Sequence, residues 1–181
     1  MRSICGWLTG IGLLLLFAPS ACCDDQPGVG SIEHQVKSAF IHKMVNFIEW
    51  PAGAIPDEDF VIGVLGDGPI FPALVSIRDR SLKGRKPVIK HFRHLDDMQA
   101  CQILFINPSL EYTTAEVLAR IGDSPVLTIG EADGLASQGV IVNFVIIDNR
   151  VRFEVNVTAA DRADLRVSSK LLRLALIAGE E

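Results

Sequence analysis

Residues 139–178, GVIVNFVIIDNRVRFEVNVTAADRADLRVSSKLLRLALIA, decide the fold of the chain. The run 139–147 is continuously rich in β-branched and aromatic side chains, which predicts a strand rather than a helix. Asp148 and Asn149 follow, and both residue types tolerate the positive φ of a two-residue hairpin turn. Apolar and polar side chains alternate over 151–157, so we predict a second strand with one apolar and one polar face.

A polar surface is expected on this hairpin. A turn at 148–149 places Asn143 opposite Glu154, and a turn shifted by one residue places it opposite Asn156; Arg152 shares their face in either register. Two interpretations stay open. The surface is an ordinary solvated sheet face with an Arg-Glu pair along the strand, or it recognises a polar ligand or partner, for which an arginine fork beside two amides and a carboxylate is suited.

A helix is predicted to close the chain after the hairpin. Ser168 is a favourable N-cap residue, because its side-chain oxygen can accept a hydrogen bond from a free backbone N–H of the first turn. Apolar residues follow it at helical spacing, which predicts one buried stripe. They are Leu171, Leu174, Ala175 and Ala178.

The composition is that of an ordinary globular protein of one domain, with 181 residues of which 49% are hydrophobic. The 17 basic side chains are outnumbered by 22 acidic ones, and the formal net charge is −5. Nucleic acids and anionic membranes both attract a basic surface. We therefore expect neither nucleic acid nor a lipid surface as a partner.

Residues 1–23 have the pattern of a signal peptide. Arg2 precedes the apolar run 4–18, which is shorter than the roughly 20 residues of a spanning helix. We expect cleavage at the end of this segment and export of a soluble protein without a membrane span. A lipid-modified N-terminus at Cys22 is the alternative, although Pro19 stands where a lipobox usually has leucine.

The rest of the chain divides into a flexible lead-in and one folded domain. The lead-in, 24–30, is polar and rich in Gly and Pro. Ser31 begins the domain, 31–179, as the N-cap of a helix whose apolar stripe ends at Trp50, where Pro51 forbids continuation. Trp50 is either part of the core or an anchor for stacking or for an interface, and the sequence leaves both open.

Buried strands alternate with helices in the middle of the domain. Apolar runs predict strands at 60–66, 88–92, 103–106 and 125–129, with helices at 70–77 and from 109 or 113 to 120. This alternation indicates a single α/β domain. We predict a mixed, mainly parallel sheet with helices on both faces and a C-terminal β-hairpin plus helix.

No cofactor or metal is expected from the polar motifs. The turn after the first buried strand, GVLGDG at 63–68, has the spacing GxxGxG rather than GxGxxG, and no Walker lysine follows. His91 and His94 form an HxxH pair that lacks the glutamate and the spacing of a zinc helix. His34 and His42 are likewise not part of a recognisable metal-ligand motif.

No catalytic arrangement is found either, so we do not expect an enzyme. The sequence has no Ser-His-Asp elbow, no CxxC motif and no close carboxylate pair on a predicted cleft loop. Cys101 is the only cysteine inside the predicted domain, which excludes an internal disulfide. It precedes an apolar run, and we predict a small buried hydrophobic residue rather than a nucleophile.

The order of these motifs resembles that of the YfiR/HmsC family of periplasmic regulators. The similar segments cover essentially the whole domain, and their order and spacing carry the resemblance. They are VKSAF at 36–40, FIEWP at 47–51, VLGD at 64–67, LFI at 104–106, PVLT at 125–128, IVNF at 141–144, VRFEVN at 151–156 and LRVSSKLL at 165–172.

The resemblance implies a non-enzymatic, often dimeric α/β protein of the periplasm. Characterised relatives bind the periplasmic domain of an inner-membrane diguanylate cyclase and repress it, which lowers cyclic di-GMP and biofilm formation. Relatives commonly have a cysteine just before the Val-Leu-Gly of the first strand, pairing near the Cys101 position, and redox state is thought to tune such repressors. This chain has Gly63 there, so the resemblance does not extend to that disulfide.

Two functions are consistent with the sequence. The resemblance implies a repressor that holds a membrane diguanylate cyclase inactive. The alternative is a periplasmic small-molecule binding protein with a pocket near Trp50, Arg152 and Glu154. The residues predicted to bind the partner or ligand are Trp50, Asn143, Arg152, Glu154, Asn156 and Lys170.

Overall fold

Five α-helices and nine strands are described by a computed structural model, which covers residues 32–57, 59–108 and 111–178. The helices are α1 Ile32–Met44, α2 Ile70–Val75, α3 Thr114–Ile121, α4 Val157–Arg162 and α5 Ser169–Leu172. The strands are β1 Ile48–Glu49, β2 Asp59–Leu65, β3 Lys86–Phe92, β4 Ile103–Ile106, β5 Leu127–Gly130, β6 Val142–Ile147, β7 Arg150–Val155, β8 Arg166–Val167 and β9 Leu176–Ile177. Short 3-10 turns lie at Val45–Phe47 and Leu95–Asp97.

A seven-stranded sheet lies at the centre of the domain, in the order β3-β2-β4-β5-β6-β7-β9. Five neighbouring strands of this sheet are parallel to one another, namely β3, β2, β4, β5 and β6. Strand β7 is antiparallel to β6, and β9 is parallel to β7. The two remaining strands, β1 and β8, form a separate antiparallel pair. The predicted mixed, mainly parallel sheet is confirmed.

Helices cover both faces of this sheet, as predicted. Adjacent residues of a strand point to opposite faces, so Leu104 and Phe105 of β4 mark the two sides. Phe105 belongs to a buried cluster with Ile41 and Met44 of α1, whereas Leu104 belongs to a second cluster with Val117 of α3. The sheet therefore separates two apolar layers, which is the expected arrangement of an α/β domain.

The C-terminal hairpin has the predicted turn and register. Asp148 and Asn149 have φ of 49° and 56°, so both central residues adopt the left-handed conformation that a tight hairpin turn requires. The turn places Asn143 directly opposite Glu154. The alternative register, with Asn143 opposite Asn156, is thereby excluded.

Helix α1 ends at Met44, so the prediction that it continues to Trp50 is wrong. The chain passes through a 3-10 turn and then forms β1, which pairs with β8. The backbone N–H of Ser168 donates to the carbonyl of Phe47 at 2.9 Å, and Ile48 is fully buried. Because β-branched and aromatic residues are weak helix formers, pairing with a distant strand prevails over helix continuation here.

The second hairpin strand ends at Val155, so the predicted strand over 151–157 is too long. Asn156 instead caps α4, a helix that the alternating pattern did not reveal. Its Oδ1 accepts a hydrogen bond from the backbone N–H of Ala159 at 2.8 Å. An asparagine at the N-cap satisfies a donor that would otherwise be free, and this favours helix formation from Val157 onward.

The closing helix is much shorter than predicted. Ser168 is its N-cap, as expected, but α5 ends at Leu172. Leu174, Ala175 and Ala178 therefore lie outside it, and the prediction of one long helix is wrong. The chain turns into β9 because the edge of β7 offers free hydrogen-bonding groups; the backbone N–H of Ala178 donates to the carbonyl of Val155 at 3.1 Å.

Most of the other predicted strands and helices are found within about two residues of their expected bounds, which is the ordinary uncertainty of element ends. The first hairpin strand is the exception, because β6 begins at Val142 rather than at the predicted residue 139. Thr113 begins α3 with a capping box, in which it exchanges hydrogen bonds with Glu116. The predicted signal peptide at 1–23, the lead-in at 24–30 and the cap at Ser31 lie outside the described residues. Within the three described ranges, no helix is both long and apolar enough to cross a membrane.

Candidate binding surface

The polar face of the hairpin is directed away from the main core. On the opposite face of β6 and β7, Phe144 and Phe153 pack against Phe40 of α1 with ring centroids 6.4 and 5.8 Å apart. Arg152 and Glu154 alternate with these rings, so neither fills the apolar layer under α1. Arg152 is exposed and Glu154 is half-buried. This part of the predicted polar surface is present.

Asn143 is not part of an exposed surface, contrary to the prediction. It lies on the same face as Glu154, and its Nδ2 donates to Glu154 Oε2 at 2.9 Å, but its side chain is fully buried. Gly130 is its neighbour in β5, and Leu135 packs directly over that glycine. The turn that follows β5 therefore covers Asn143, and its Oδ1 has no hydrogen-bond partner among the described residues.

Asn156 lies outside β7 and has a structural role. Besides capping α4, its Nδ2 donates to the carbonyl of Ala136 at 2.7 Å. Both ends of the amide are therefore bound to backbone groups, one in the helix and one in the turn after β5. Asn156 therefore supports that turn and Asn143 holds Glu154, so the prediction that the two amides form a polar surface with Arg152 is wrong.

Arg152 and Lys170 are free cations on different elements. Neither forms an ion pair within the described ranges, so the predicted Arg-Glu pair with Glu154 is not formed. Lys170 is exposed at the start of α5, where its backbone N–H donates to Ser168 Oγ at 3.3 Å. Unpaired guanidinium and ammonium groups at a surface are available to a carboxylate of a partner.

Trp50 lies between core and solvent, directly after β1. Its ring meets Phe60 edge-on, with centroids 5.5 Å apart, and the Lys83 ammonium lies 6.0 Å from its centroid. The indole Nε1 is buried without a hydrogen-bond partner among the described residues. The hollow beside it, of about 250 Å³, is lined by Glu49, Trp50, Pro51, Asp164 and Arg166. Neither Arg152 nor Glu154 reaches this hollow, so it differs from the pocket of the small-molecule hypothesis.

A buried charge cluster is the feature that sequence reasoning missed. Lys37 of α1 is only 4% exposed, and its Nζ donates to Glu131 Oε2 at 2.6 Å and to Glu33. Glu131 follows β5 directly, so the cluster joins α1 to the carboxyl end of the parallel sheet. The spacing of Glu33 and Lys37 was a visible signal, because residues four apart meet on a helix.

The hydrogen bonds of this cluster favour the charged forms of Lys37 and Glu33. Burial alone would lower the pKa of the Lys37 ammonium, but the hydrogen bonds to Glu131 and Glu33 outweigh burial, so the pKa is raised. The hydrogen bond from Lys37 lowers the pKa of Glu33 below its ordinary value. His34 Nε2 lies 3.8 Å from Glu131 Oε2. Glu33, His34 and Glu131 have ligand atoms within 4.8 Å of one another, but the Lys37 ammonium already supplies a positive charge between the carboxylates.

The glycine turn after β2 is filled by a side chain. Asn107 Nδ2 donates to the carbonyls of Leu65 and Gly66 at 3.0 and 2.9 Å, and the amide lies directly against Gly68. His91 Nε2 lies 3.0 Å from the same Gly66 carbonyl. These contacts fasten the turn from within the domain, and the Asn107 amide leaves no room for a β-carbon at Gly68.

Cys101 is buried, as predicted. Burial raises the pKa of its thiol to about 11, although a backbone hydrogen bond at Gly63 acts in the opposite direction. A thiol with this pKa is protonated at neutral pH and therefore a poor nucleophile. The cysteine belongs to the apolar cluster under α3, beside Phe92 and Leu104.

The fold and these contacts define an α/β domain in which many of the described polar side chains bond within the domain, whereas Arg150 and Arg152 of β7 are exposed without an ion pair among the described residues. The family model described as YfiR/HmsC-like matches residues 34–176, most of the chain, so the chain belongs to this family. The resemblance predicted from the sequence is confirmed. This family consists of periplasmic regulators of the diguanylate cyclase pathway and is not a known enzyme family. A comparison with curated proteins finds no match.

Proposed function

We propose that this chain binds the periplasmic domain of an inner-membrane diguanylate cyclase and represses it, which lowers cyclic di-GMP and biofilm formation. Family membership supports the pathway. The observation that carries the binding step is the exposed face of β7. Arg152 has no ion-pair partner in the described part of the chain and is not needed for the core, so its charge is available to a partner.

Repression requires only that the chain bind one state of the cyclase better than the other. A ligand with equal affinity for both states shifts no population, however tightly it binds. Moving a cyclase from almost fully active to almost fully inactive takes an affinity ratio of about 10⁴. Repression of this kind needs no chemical step by this chain.

The candidate residues have different roles under this proposal. Arg152, Glu154 and Lys170 are expected to contact the partner directly, since their side chains reach the surface. Trp50 combines a role in the core with a partly accessible ring. Asn143 and Asn156 are positioning residues, because one holds Glu154 and the other holds the turn after β5.

Two expectations about the mature protein belong to this proposal. We expect residues 1–23 to be removed on export, with a lipid on Cys22 as the alternative, and mass spectrometry of the exported protein distinguishes the two. We also expect a homodimer, which light scattering of the purified protein tests over a range of concentrations. Neither expectation is needed for repression itself.

The function is tested in cells and with purified proteins. Deleting the gene should raise cyclic di-GMP, and the rise should disappear in a strain that also lacks the responsible membrane cyclase. The periplasmic domain of that cyclase should then co-purify with the exported chain. Unchanged cyclic di-GMP in the deletion strain, together with no co-purification, contradicts the proposal.

A further inference from the structure

A hollow of about 340 Å³ lies at the amino ends of β4 and β5, on the side of the sheet that α3 covers. It is lined by Ala54, by residues 98–102 before β4, and by residues within 120–126, between the end of α3 and the start of β5. Small-molecule sites usually have volumes of roughly 300–1,000 Å³. The hollow is therefore large enough for a small ligand, and it shares no lining residue with the hollow beside Trp50.

The apolar walls of this hollow are fixed by the core. Met98, Ile121 and Val126 are partly buried and pack against the apolar cluster that contains Cys101. Each of them also lines the hollow, as does Cys101, which is 6% exposed. Because the core holds these side chains on their inner side, the hollow exists before a ligand binds. Pre-formed apolar walls with a small number of polar groups are typical of ligand sites.

One polar side chain of the lining is already satisfied within the domain. Gln102 Oε1 accepts a hydrogen bond from the backbone N–H of Val61 at 2.8 Å, and its Nε2 donates to the carbonyl of Ala54 at 3.1 Å. Both ends of this amide are engaged, so Gln102 holds the wall in place rather than binding a ligand. The polar side chains of the lining that remain for a ligand are exposed; they are Gln99, Arg120 and Ser124.

Arg120 is the one charged side chain among the described residues that line the hollow, and it forms no ion pair with any of the described chain. Carboxylates near it in the sequence are Asp97, Glu116 and Asp123, and none of them belongs to the lining. Asp97 and Glu116 accept hydrogen bonds from backbone N–H groups three residues before them, and Asp123 lines a separate hollow. An anionic group inside the hollow therefore meets a guanidinium and no carboxylate. This contact, rather than the net charge of the region, selects the ligand.

A second cation lies beside the hollow. Lys90 Nζ donates to Gln99 Oε1 at 2.8 Å, so the ammonium of β3 lies next to a residue of the lining. Burial raises the pKa of the Cys101 thiol to about 11, while a backbone hydrogen bond at Gly63 and the charge of Lys90 act in the opposite direction. The charge of Lys90 therefore reaches the wall of the hollow as well.

We propose that this hollow binds a small organic anion, a molecule with one carboxylate on a compact apolar body. The apolar body would contact Met98, Ile121 and Val126. The carboxylate would accept hydrogen bonds from Arg120, whose planar guanidinium can donate two parallel bonds to it. A cationic ligand is disfavoured, because it would lie against Arg120 without a carboxylate in the lining. This site goes beyond the proposed function and does not depend on it.

The test uses the full exported chain and two probes with the same apolar body, cinnamate and its uncharged amide, cinnamamide. Titration calorimetry measures both affinities. We expect cinnamate to bind at least about fivefold more tightly than cinnamamide, because the charged carboxylate is the stronger acceptor for the guanidinium. In Arg120→Gln the two affinities should agree within about twofold, because the charge-assisted hydrogen bonds are lost. The control Arg80→Gln, at an exposed arginine between α2 and β3, should keep the wild-type preference.

A second pair of variants tests the position of the site. Ala100 is exposed and lines the hollow, so Ala100→Trp should fill it from the rim. We expect both probes to bind this variant at least about tenfold more weakly. The control Ala115→Trp adds the same side chain at an exposed position of α3 outside the lining, and its affinities should equal those of the wild type. NMR spectra of the wild type locate the probe without a mutation, because cinnamate should shift the backbone amide signals of 98–102 and 120–126 most.

The proposal is overturned if neither probe binds the wild type, or if Arg120→Gln keeps the full preference for cinnamate. It is equally overturned if the shifted amide signals lie outside the two segments, since cinnamate then binds elsewhere. None of these results bears on the proposed function, because repression of the cyclase is measured in separate experiments.

Discussion

Cationic side chains in two regions of the molecule differ in their burial and in their partners. At the carboxyl end of the parallel strands, the Lys37 ammonium is buried and bound by two carboxylates. At the hairpin tip, Arg150 and Arg152 are exposed and have no ion-pair partner among the described residues. A buried, paired charge fixes the fold, whereas an exposed, unpaired charge is free to bind a partner. Burial therefore decides which of these two roles a charged side chain has.

The largest effect is expected from removing the buried cation. Lys37→Met leaves Glu131 buried without its partner, and we expect a loss of about 3–5 kcal/mol in the free energy of unfolding. Urea unfolding measures it, with Lys43→Met on the exposed side of the same helix as the control. A loss below about 1 kcal/mol, equal to that of the control, would mean that the cluster does not hold α1 to the sheet.

The next largest effect is expected at Trp50, which is neither as buried as Lys37 nor as exposed as Arg152. Its ring packs on Phe60 but is only partly buried, so Trp50→Ala should cost about 2–4 kcal/mol, less than a fully buried tryptophan. Trp50→Phe retains the edge-on contact and should cost about half as much. Partner affinity is measured on the same variants. Loss of repression by a variant that keeps its wild-type melting temperature would show that the ring is a binding anchor instead.

The pH dependence of stability sharpens the comparison, because the buried cluster titrates at both ends of the scale. The pKa of Glu33 is lowered on folding, so its contribution is present above the ordinary value of 4.5 and is lost as pH falls through the lower folded pKa. The pKa of Lys37 is raised, so its contribution is present below 10.5 and is lost as pH rises through the higher folded pKa. Because Glu33 is partly exposed, we expect about 1 kcal/mol or less on the acid side.

The measurement is the difference in unfolding free energy between wild type and Lys37→Met from acid to alkaline pH. Taking the difference removes the contributions of the titrating groups whose surroundings the mutation leaves unchanged. The difference should be largest in the neutral range and should decrease towards both extremes. A difference that stays constant over the whole range would contradict the assignment of these pKa shifts to the Lys37 hydrogen bonds.

At the tip, stability should be nearly indifferent to charge. Arg152→Ala removes an exposed side chain without an ion-pair partner, and we expect the free energy of unfolding to change by less than about 1 kcal/mol. Cyclic di-GMP should nevertheless rise in cells that carry this variant, because a contact to the cyclase is lost. Normal repression by the folded variant would remove Arg152 from the binding surface.

The smallest effect is expected from reductant. Cys101 is the only cysteine of the described residues, so no disulfide within the domain contributes to stability. A variant lacking Cys22 and Cys23 should melt within about 1 °C of the same temperature with and without dithiothreitol, whereas loss of a native disulfide typically costs 2–5 kcal/mol. A drop of many degrees on reduction would reveal a bridge between two copies through Cys101.

The sequence predicts what depends on neighbours along the chain. The register of the hairpin follows from Asp148 and Asn149, because a two-residue turn fixes which residues face each other. The cap at Ser168 is likewise a local feature. The sheet order follows from alternating strands and helices, since short connections leave few topologies.

Contacts between distant segments could not be derived in this way. The Lys37–Glu131 ion pair joins residues 94 apart in the chain, and only its local half, Glu33 to Lys37, has a visible spacing. The pairing of β1 with β8, which ends α1 earlier than predicted, is likewise a contact between distant segments. Asn143 was predicted on the surface because alternation assigns a face but does not show which loop covers it.

The glycine at residue 63 has a consequence for how this chain could evolve. A β-carbon placed there would lie 2.5 Å from the ring of Phe92, a buried side chain of the same apolar layer as Cys101. Mutation of Gly63 to cysteine therefore requires the Phe92 ring to move, because the ring already takes up the volume that the new side chain needs. A side chain at residue 63 and the Phe92 ring therefore compete for the same space.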